Sequence, residues 1–119
     1  MLFESEISPG LVMVFDTRVL AEAVGETQVA IHAAFGAQFF LCVWTTRRRG
    51  GWVPCFHKPA PGREEVPIES RSGPDEWIAC PCFMDPAFVI NVRHETAVRA
   101  ARRDPTHPGL RNRINPHLF

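Results

Sequence analysis

The stretch from residue 39 to 57 constrains this chain more than any other. Six apolar residues, Phe39, Phe40, Leu41, Cys42, Val43 and Trp44, run into Thr45-Thr46 and three arginines, Arg47, Arg48 and Arg49. Gly50-Gly51 supplies a turn signal, and Trp52-Val53-Pro54-Cys55-Phe56-His57 runs back. Two apolar runs around a glycine-containing turn read as a β-hairpin with a basic tip. Residues 39–46 are mainly apolar at both parities, so this strand needs cover on both faces, as in a small barrel or the middle of a sheet. Pro54 has no ladder donor and belongs at an edge or a bulge.

Short elements surround the hairpin. Residues 11–15, after Pro9-Gly10, read as a strand. Residues 18–24 read as a short helix capped by Asp16 or Thr17, with Gly25 just past its end. Residues 27–35 alternate with period two and favour a strand, although their alanines also allow a helix. Residues 58–67 hold Pro59, Pro61, Gly62 and Pro67 and read as a loop, and residues 58–76 as a whole read as exposed. Residues 77–83 and 88–92 read as two further strands. Residues 95–103 read as a helix with Ala97, Val98, Ala100 and Ala101 on one side and Glu95, Arg99, Arg102 and Arg103 on the other. Glu95 and Arg99 stand in the favourable i,i+4 order. The expected fold is mainly β (α+β): a small barrel of five or six strands with a C-terminal helix, one domain over residues 1–104, and an extended Pro/Arg-rich tail over 105–119.

The formal net charge is zero, but the charge is segregated. Residues 1–40 and 63–85 are acidic, whereas 41–62 and the C-terminal part are basic. Two basic blocks that converge in space would create a local positive field despite overall neutrality. No apolar run approaches the roughly 18 residues of a membrane helix, so no membrane partner is expected. The first residues lack the basic and apolar regions of a secretory signal. The expected compartment is therefore a reducing cytoplasm, where the four cysteines are free thiols or metal ligands rather than disulfides.

With the hairpin tip at Arg49-Gly50 or Gly50-Gly51, even-numbered residues of the first strand share a face with odd-numbered residues of the second. Cys42 is then expected beside Cys55 and His57, with Cys80 and Cys82 joining if residues 77–83 pair nearby. Thiolates and an imidazole are what a structural zinc site needs. A Cys-x-Cys pair on an extended strand splays, however, and free cysteine is a common core residue. Buried thiols with no metal or cofactor are the expectation, and a zinc-stabilised domain is the alternative. Among the histidines, His57 is the candidate for proton transfer, although a structural role is the plainer reading.

The same parity places Thr45, Arg47 and Trp52 on one face. Guanidinium groups bind phosphate bidentately, and aromatic rings stack on unpaired bases. Arg47, Arg48, Arg49 and Trp52 are therefore candidate nucleic-acid-binding residues, with single-stranded RNA as the ligand, and Arg99, Arg102 and Arg103 could extend the patch. The competing reading is a solvated turn with Trp52 in the core. A second functional reading is a non-enzymatic interaction module that docks another protein or an identical subunit.

The run Leu41-Cys42-Val43-Trp44-Thr45-Thr46-Arg47-Arg48-Arg49-Gly50-Gly51-Trp52-Val53-Pro54 resembles the central hairpin of the MazF/PemK-type toxins. Trp77-Ile78-Ala79 is similar to that family's Trp-containing strand, and residues 11–16 after Pro9-Gly10 to its opening strand. The resemblance implies an SH3-like barrel that dimerises, is neutralised by an antitoxin-like protein and cleaves single-stranded RNA without metal. It implies Thr45 or Thr46 as the active-site threonine, attack of a 2′-hydroxyl on the adjacent phosphate, and an arginine that stabilises the phosphorane charge. The sequence departs from the family where its catalytic arginine is expected. Residues 25–35 hold no arginine and no proline, and His32 is the only basic side chain there. Either Arg47 takes the role, with Thr45 beside it, or the chain is a non-catalytic relative.

Overall fold

The computed structural model describes residues 2–22, 39–73, 75–101 and 111–115. In chain order they form a 3-10 turn at Glu4–Glu6, then β1 (Leu11–Met13), α1 (Thr17–Glu22), β2 (Phe39–Thr45), β3 (Arg49–Cys55) and β4 (Glu64–Glu65). A second 3-10 turn at Ile68–Ser70 precedes β5 (Arg71–Ser72), α2 (Asp75–Ala79), β6 (Phe83–Met84), β7 (Ile90–Arg93), α3 (His94–Ala100) and β8 (Asn112–Ile114). The architecture is α+β, dominated by an antiparallel sheet of order β5-β8-β1-β2-β3-β7, with β4 and β6 pairing separately. The strand expected at 27–35, Arg102, Arg103 and the boundary at 104 lie outside the described residues.

The double-sided apolar character of residues 39–46 has its counterpart in two core layers. Phe40, Cys42 and Trp52 pack on one face with Leu11, Phe15, Leu20, Ile90, Ala97 and Ala100. Phe39, Leu41, Val53 and Cys55 pack on the other with Val66, Trp77, Cys82 and Met84. The first layer is closed by α1 and α3, the second by α2 and the β4–β6 ribbon. Each buried large apolar side chain contributes about 1.5–3 kcal/mol relative to exposure, so the hairpin base is the strongest part of the core. Ring contacts support both layers: Phe15 meets Trp52 edge-on at 4.7 Å, and Phe39 meets Trp77 at 5.0 Å. Pro54 pairs with Phe40 beyond the end of the β7 ladder, where its missing donor costs little.

Asp16 caps α1 as its residue type suggests: its Oδ1 accepts the Arg18 N–H at 2.9 Å. Its own N–H reaches the Ala100 carbonyl at 2.7 Å and so ties the start of α1 to the end of α3. In α3, His94, Thr96, Ala97 and Ala100 are buried while Glu95 and Arg99 face solvent. The expected Glu95–Arg99 ion pair does not form, since two exposed long side chains gain little from it.

Three expectations are corrected. Residues 77–83 are not one strand; α2 occupies their first part, and only Phe83–Met84 is extended. Trp77, in α2, is seated in the second layer. The segment 58–76 is not simply exposed, because Val66 is fully buried and Arg71 is 7% exposed. The tail beyond 105 does not merely lie over the surface. Its residues 112–114 form β8, inserted between β5 and β1, and Ile114 belongs to the core.

Candidate nucleic-acid interface

The β2–β3 register decides which side chains meet. Phe39 pairs with Cys55, Phe40 with Pro54, Leu41 with Val53 and Cys42 with Trp52, and then the register slips between Cys42 and Trp44. Beyond this bulge Trp44 pairs with Gly51 and Thr45 with Gly50. The tip is therefore Thr46 to Arg49, not the glycines. The Thr46 N–H donates to the Arg49 carbonyl at 2.8 Å, and the Arg49 N–H donates to the Thr46 hydroxyl at 3.1 Å. No non-glycine residue here has positive φ, so the arginines do not need the glycine-rich geometry of the commonest two-residue hairpin loops. The glycines serve elsewhere: Gly51 lies against the Trp44 indole, and a Cβ there would overlap three of its ring atoms, Nε1, Cε2 and Cδ1.

His94 holds this tip. Its backbone N–H donates to the Arg48 carbonyl at 2.8 Å, and its Nε2–H donates to the Thr46 carbonyl at 2.8 Å. The first residue of α3 thus fixes both sides of a turn whose own side chains point into water.

Partners directly across an antiparallel ladder share a face, as do residues i and i+2 on a strand. Arg49 pairs with Arg93 and Gly51 with Asn91. Trp44, Arg49, Gly51, Asn91 and Arg93 consequently lie on one face of the hairpin end. The Arg49 Nη1–H reaches Asn91 Oδ1 at 3.4 Å on that face. Arg49, Asn91 and Arg93 are exposed, and Trp44 is half-buried. Arg47 and Arg48 extend the positive charge across the exposed turn. Among the described residues no carboxylate lies within ion-pair distance of Arg47, Arg48, Arg49 or Arg93. Two guanidinium groups opposed across a ladder destabilise a sheet unless something anionic lies over them.

Against this geometry the expected site divides. Arg47, Arg48 and Arg49 are brought together at the tip. Trp52 is not with them: it is 0% exposed, on the opposite face with Cys42, and packs on Phe15. Past the bulge Trp44 shares a face with Arg49 and Gly51 and takes the aromatic place beside the arginines. Thr45, paired with Gly50, turns toward the inner face and is half-buried, while the Thr46 hydroxyl is engaged in the turn. Arg99 is exposed on α3, and Arg102 and Arg103 lie outside the described residues. Sequence reasoning missed Trp44, Asn91 and Arg93; an adjacent Gly51 able to receive an indole was the available signal for Trp44.

The expected thiol and histidine set also divides. Cys42 lies in the first core layer, Cys55 and Cys82 in the second, and His57 is exposed. Among the described residues no group of three Cys, His, Asp or Glu side chains is placed to hold a metal ion. Burial pushes the Cys42 thiol up to about 12. In the second layer Arg71 forms an unusual centre. One Nη1 donates to the Trp77 and Cys80 carbonyls at 3.0 and 2.6 Å, and Nη2 donates to the Val66 carbonyl at 2.7 Å. The guanidinium carbon lies 4.9 Å from the Trp77 ring centroid, and Nη1 is 3.9 Å from Cys80 Sγ. Hydrogen bonding from Cys55 lowers the Cys82 thiol below its ordinary range, with Arg71 adding to the effect, and the same bond with burial raises Cys55.

Among the described residues no helix is long and apolar enough to cross a membrane. Comparisons with protein-family models, curated proteins and solved structures find no match to this chain.

Proposed function

We propose that the exposed face of the hairpin end binds single-stranded RNA. The observation that carries this reading is the Trp44 indole packed against Gly51 beside Arg49 and Arg93, neither of which has a carboxylate partner among the described residues. A flat ring offers stacking to any base, and adjacent guanidiniums take the flanking phosphates; base–aromatic stacking is worth about 1–3 kcal/mol per base. Asn91 adds an amide at the same surface. Arg47 and Arg48 continue the phosphate track over the turn.

In the more specific form of this reading the sheet is the SH3-like barrel of a MazF/PemK-type toxin, acting as a cytoplasmic dimer that an antitoxin-like protein neutralises by covering the same basic face. RNA cleavage would then rest on Thr45 and Arg47. A 2′-hydroxyl attacks the adjacent phosphorus, the 5′-oxygen leaves, and Arg47 offsets the charge of the phosphorane.

Titration of the protein with a short unstructured RNA at two salt concentrations tests the binding. The expected result is salt-dependent binding whose slope falls by about one on Arg93→Ala. Trp44→Ala and Gly51→Ala, which displaces the indole, are expected to weaken it about tenfold, as loss of one stacked base implies. Absent or salt-insensitive binding overturns the reading. Cleavage lost in both Thr45→Ala and Arg47→Ala supports the nuclease form, whereas cleavage that persists in both removes those residues from it.

A further inference from the structure

The arginine turn lacks the bond that usually closes such a turn. In a hydrogen-bonded turn of four residues the first carbonyl accepts the fourth N–H. Thr46 is first and Arg49 fourth, yet the Arg49 N–H goes to the Thr46 hydroxyl at 3.1 Å. The Thr46 carbonyl instead meets His94 Nε2 at 2.8 Å, and since a carbonyl only accepts, Nε2 carries the proton. The Arg48 carbonyl accepts the His94 backbone N–H at 2.8 Å. The bond from the Thr46 N–H to the Arg49 carbonyl, 2.8 Å, remains. Two side chains, one on the turn and one at the start of α3, thus replace the turn's own closure.

Stability alone does not call for an imidazole here. His94 is 6% exposed, and its Nδ1 is buried without a hydrogen-bond partner among the described residues. An orphaned buried polar atom destabilises a fold. Thr46 is exposed, so water can satisfy its carbonyl in the absence of the ring. An apolar side chain at position 94 would avoid the orphaned nitrogen. What the imidazole adds is a fixed turn.

We propose that His94 is a positioning residue: together with the Thr46 hydroxyl it presets the turn that carries Arg47, Arg48 and Arg49 for contact with a phosphate backbone. The inference rests on the RNA reading of this face. A loose tip has to be ordered when RNA arrives, and that ordering opposes binding. A tip held from α3 meets the same loss on folding instead. The junction serves a fourth arginine as well. Arg93 ends β7 opposite Arg49, and His94 follows it directly, so one point in the chain sets the register of both basic strand ends. His94 is buried and acts through the turn rather than by touching RNA.

The test titrates the full chain with a short unstructured RNA at several salt concentrations and follows urea unfolding of the same samples. His94→Leu removes both the ring donor and the orphaned nitrogen. It is expected to bind about tenfold more weakly, as the ordering of roughly one backbone residue implies. Its salt slope is expected to match the wild type, because no arginine is lost, and its urea midpoint to be no lower. His94→Gln, whose amide donor has a similar reach, is expected to bind within about twofold of the wild type. Wild-type affinity in His94→Leu, or a Gln variant as weak as the Leu one, overturns the proposal and leaves the RNA reading standing. A wild-type chain that binds no RNA overturns both. If His94→Leu does not fold, the exposed Thr46 carries the test. Thr46→Val strips the acceptor from the Arg49 N–H and is expected to weaken binding, and Thr46→Ser to restore it; undiminished binding by Thr46→Val overturns the proposal.

Discussion

Arg71 and the Arg49–Arg93 pair show two opposite uses of one side chain. Arg71 spends its Nη donors on the carbonyls of Val66, Trp77 and Cys80, caps the end of α2 and stacks on Trp77. Arg49 and Arg93 oppose each other across β3 and β7, in water, with one weak contact to Asn91. A guanidinium whose donors are consumed by backbone is part of the scaffold. One whose planar fork is open is available to a phosphate.

The sharpest way to break this contrast is to remove each arginine in turn. Arg71→Met is expected to cost about 3–5 kcal/mol in urea unfolding, because several buried carbonyls lose their donor at about 1–3 kcal/mol each. Arg93→Met is expected to change stability by less than about 0.5 kcal/mol while weakening RNA binding. Similar stability costs for the two variants would refute the distinction. The two hairpin tryptophans make a parallel pair. Trp52→Ala is expected to cost about 3–5 kcal/mol as a core truncation, whereas Trp44→Ala costs less and carries the larger binding loss, checked by the same unfolding and titration measurements.

The thiols of the two layers differ in the same sense. Cys42 is held protonated in the folded state to about 12, while the unfolded chain releases that proton near 9. Above the lower value the unfolded state binds fewer protons, so stability present below it is lost as pH rises, by about 1.4 kcal/mol per pH unit for this group. Urea midpoints at pH 8 and 10 are expected to converge in Cys42→Val relative to the wild type; an unchanged gap would show that Cys42 does not supply the slope. The smallest effect belongs to Glu6, whose carboxylate accepts Arg111 Nε at 2.7 Å and the Phe3 N–H at 3.0 Å. Arg111 lowers the Glu6 carboxyl. Its contribution is therefore present above the ordinary carboxylate range and lost as pH falls through the lowered value. Glu6→Gln is expected to cost about 0.2–1 kcal/mol at neutral pH and nothing in acid, read by thermal unfolding at both.

What the sequence shows plainly is what local chemistry decides. The apolar run into the arginines gives the hairpin and its two buried faces, and Asp16 gives the start of α1. What it hides depends on single-residue geometry or distant partners. One bulge between Cys42 and Trp44 puts Trp44 on the face of Arg49 and Gly51, while Trp52 faces the core. No spacing rule links Arg71 to carbonyls at 66, 77 and 80, because that set exists only once α2 folds back over β5. Residues 112–114 carry too little apolar patterning to announce a strand, yet they pair on both sides.

The position of β8 also dictates an order of events. It pairs with β1 through partners roughly a hundred residues apart, Leu11 with Arg113 and Val12 with Asn112, and with β5 through Arg71 and Ser72. Such closure carries a large chain-entropy cost before it is rewarded, so the sheet's last seam zips late. Until it does, β1 presents a bare edge to neighbouring chains. During synthesis the nascent protein is therefore most prone to aggregate in the interval before residues 112–114 emerge and cover the edge of β1.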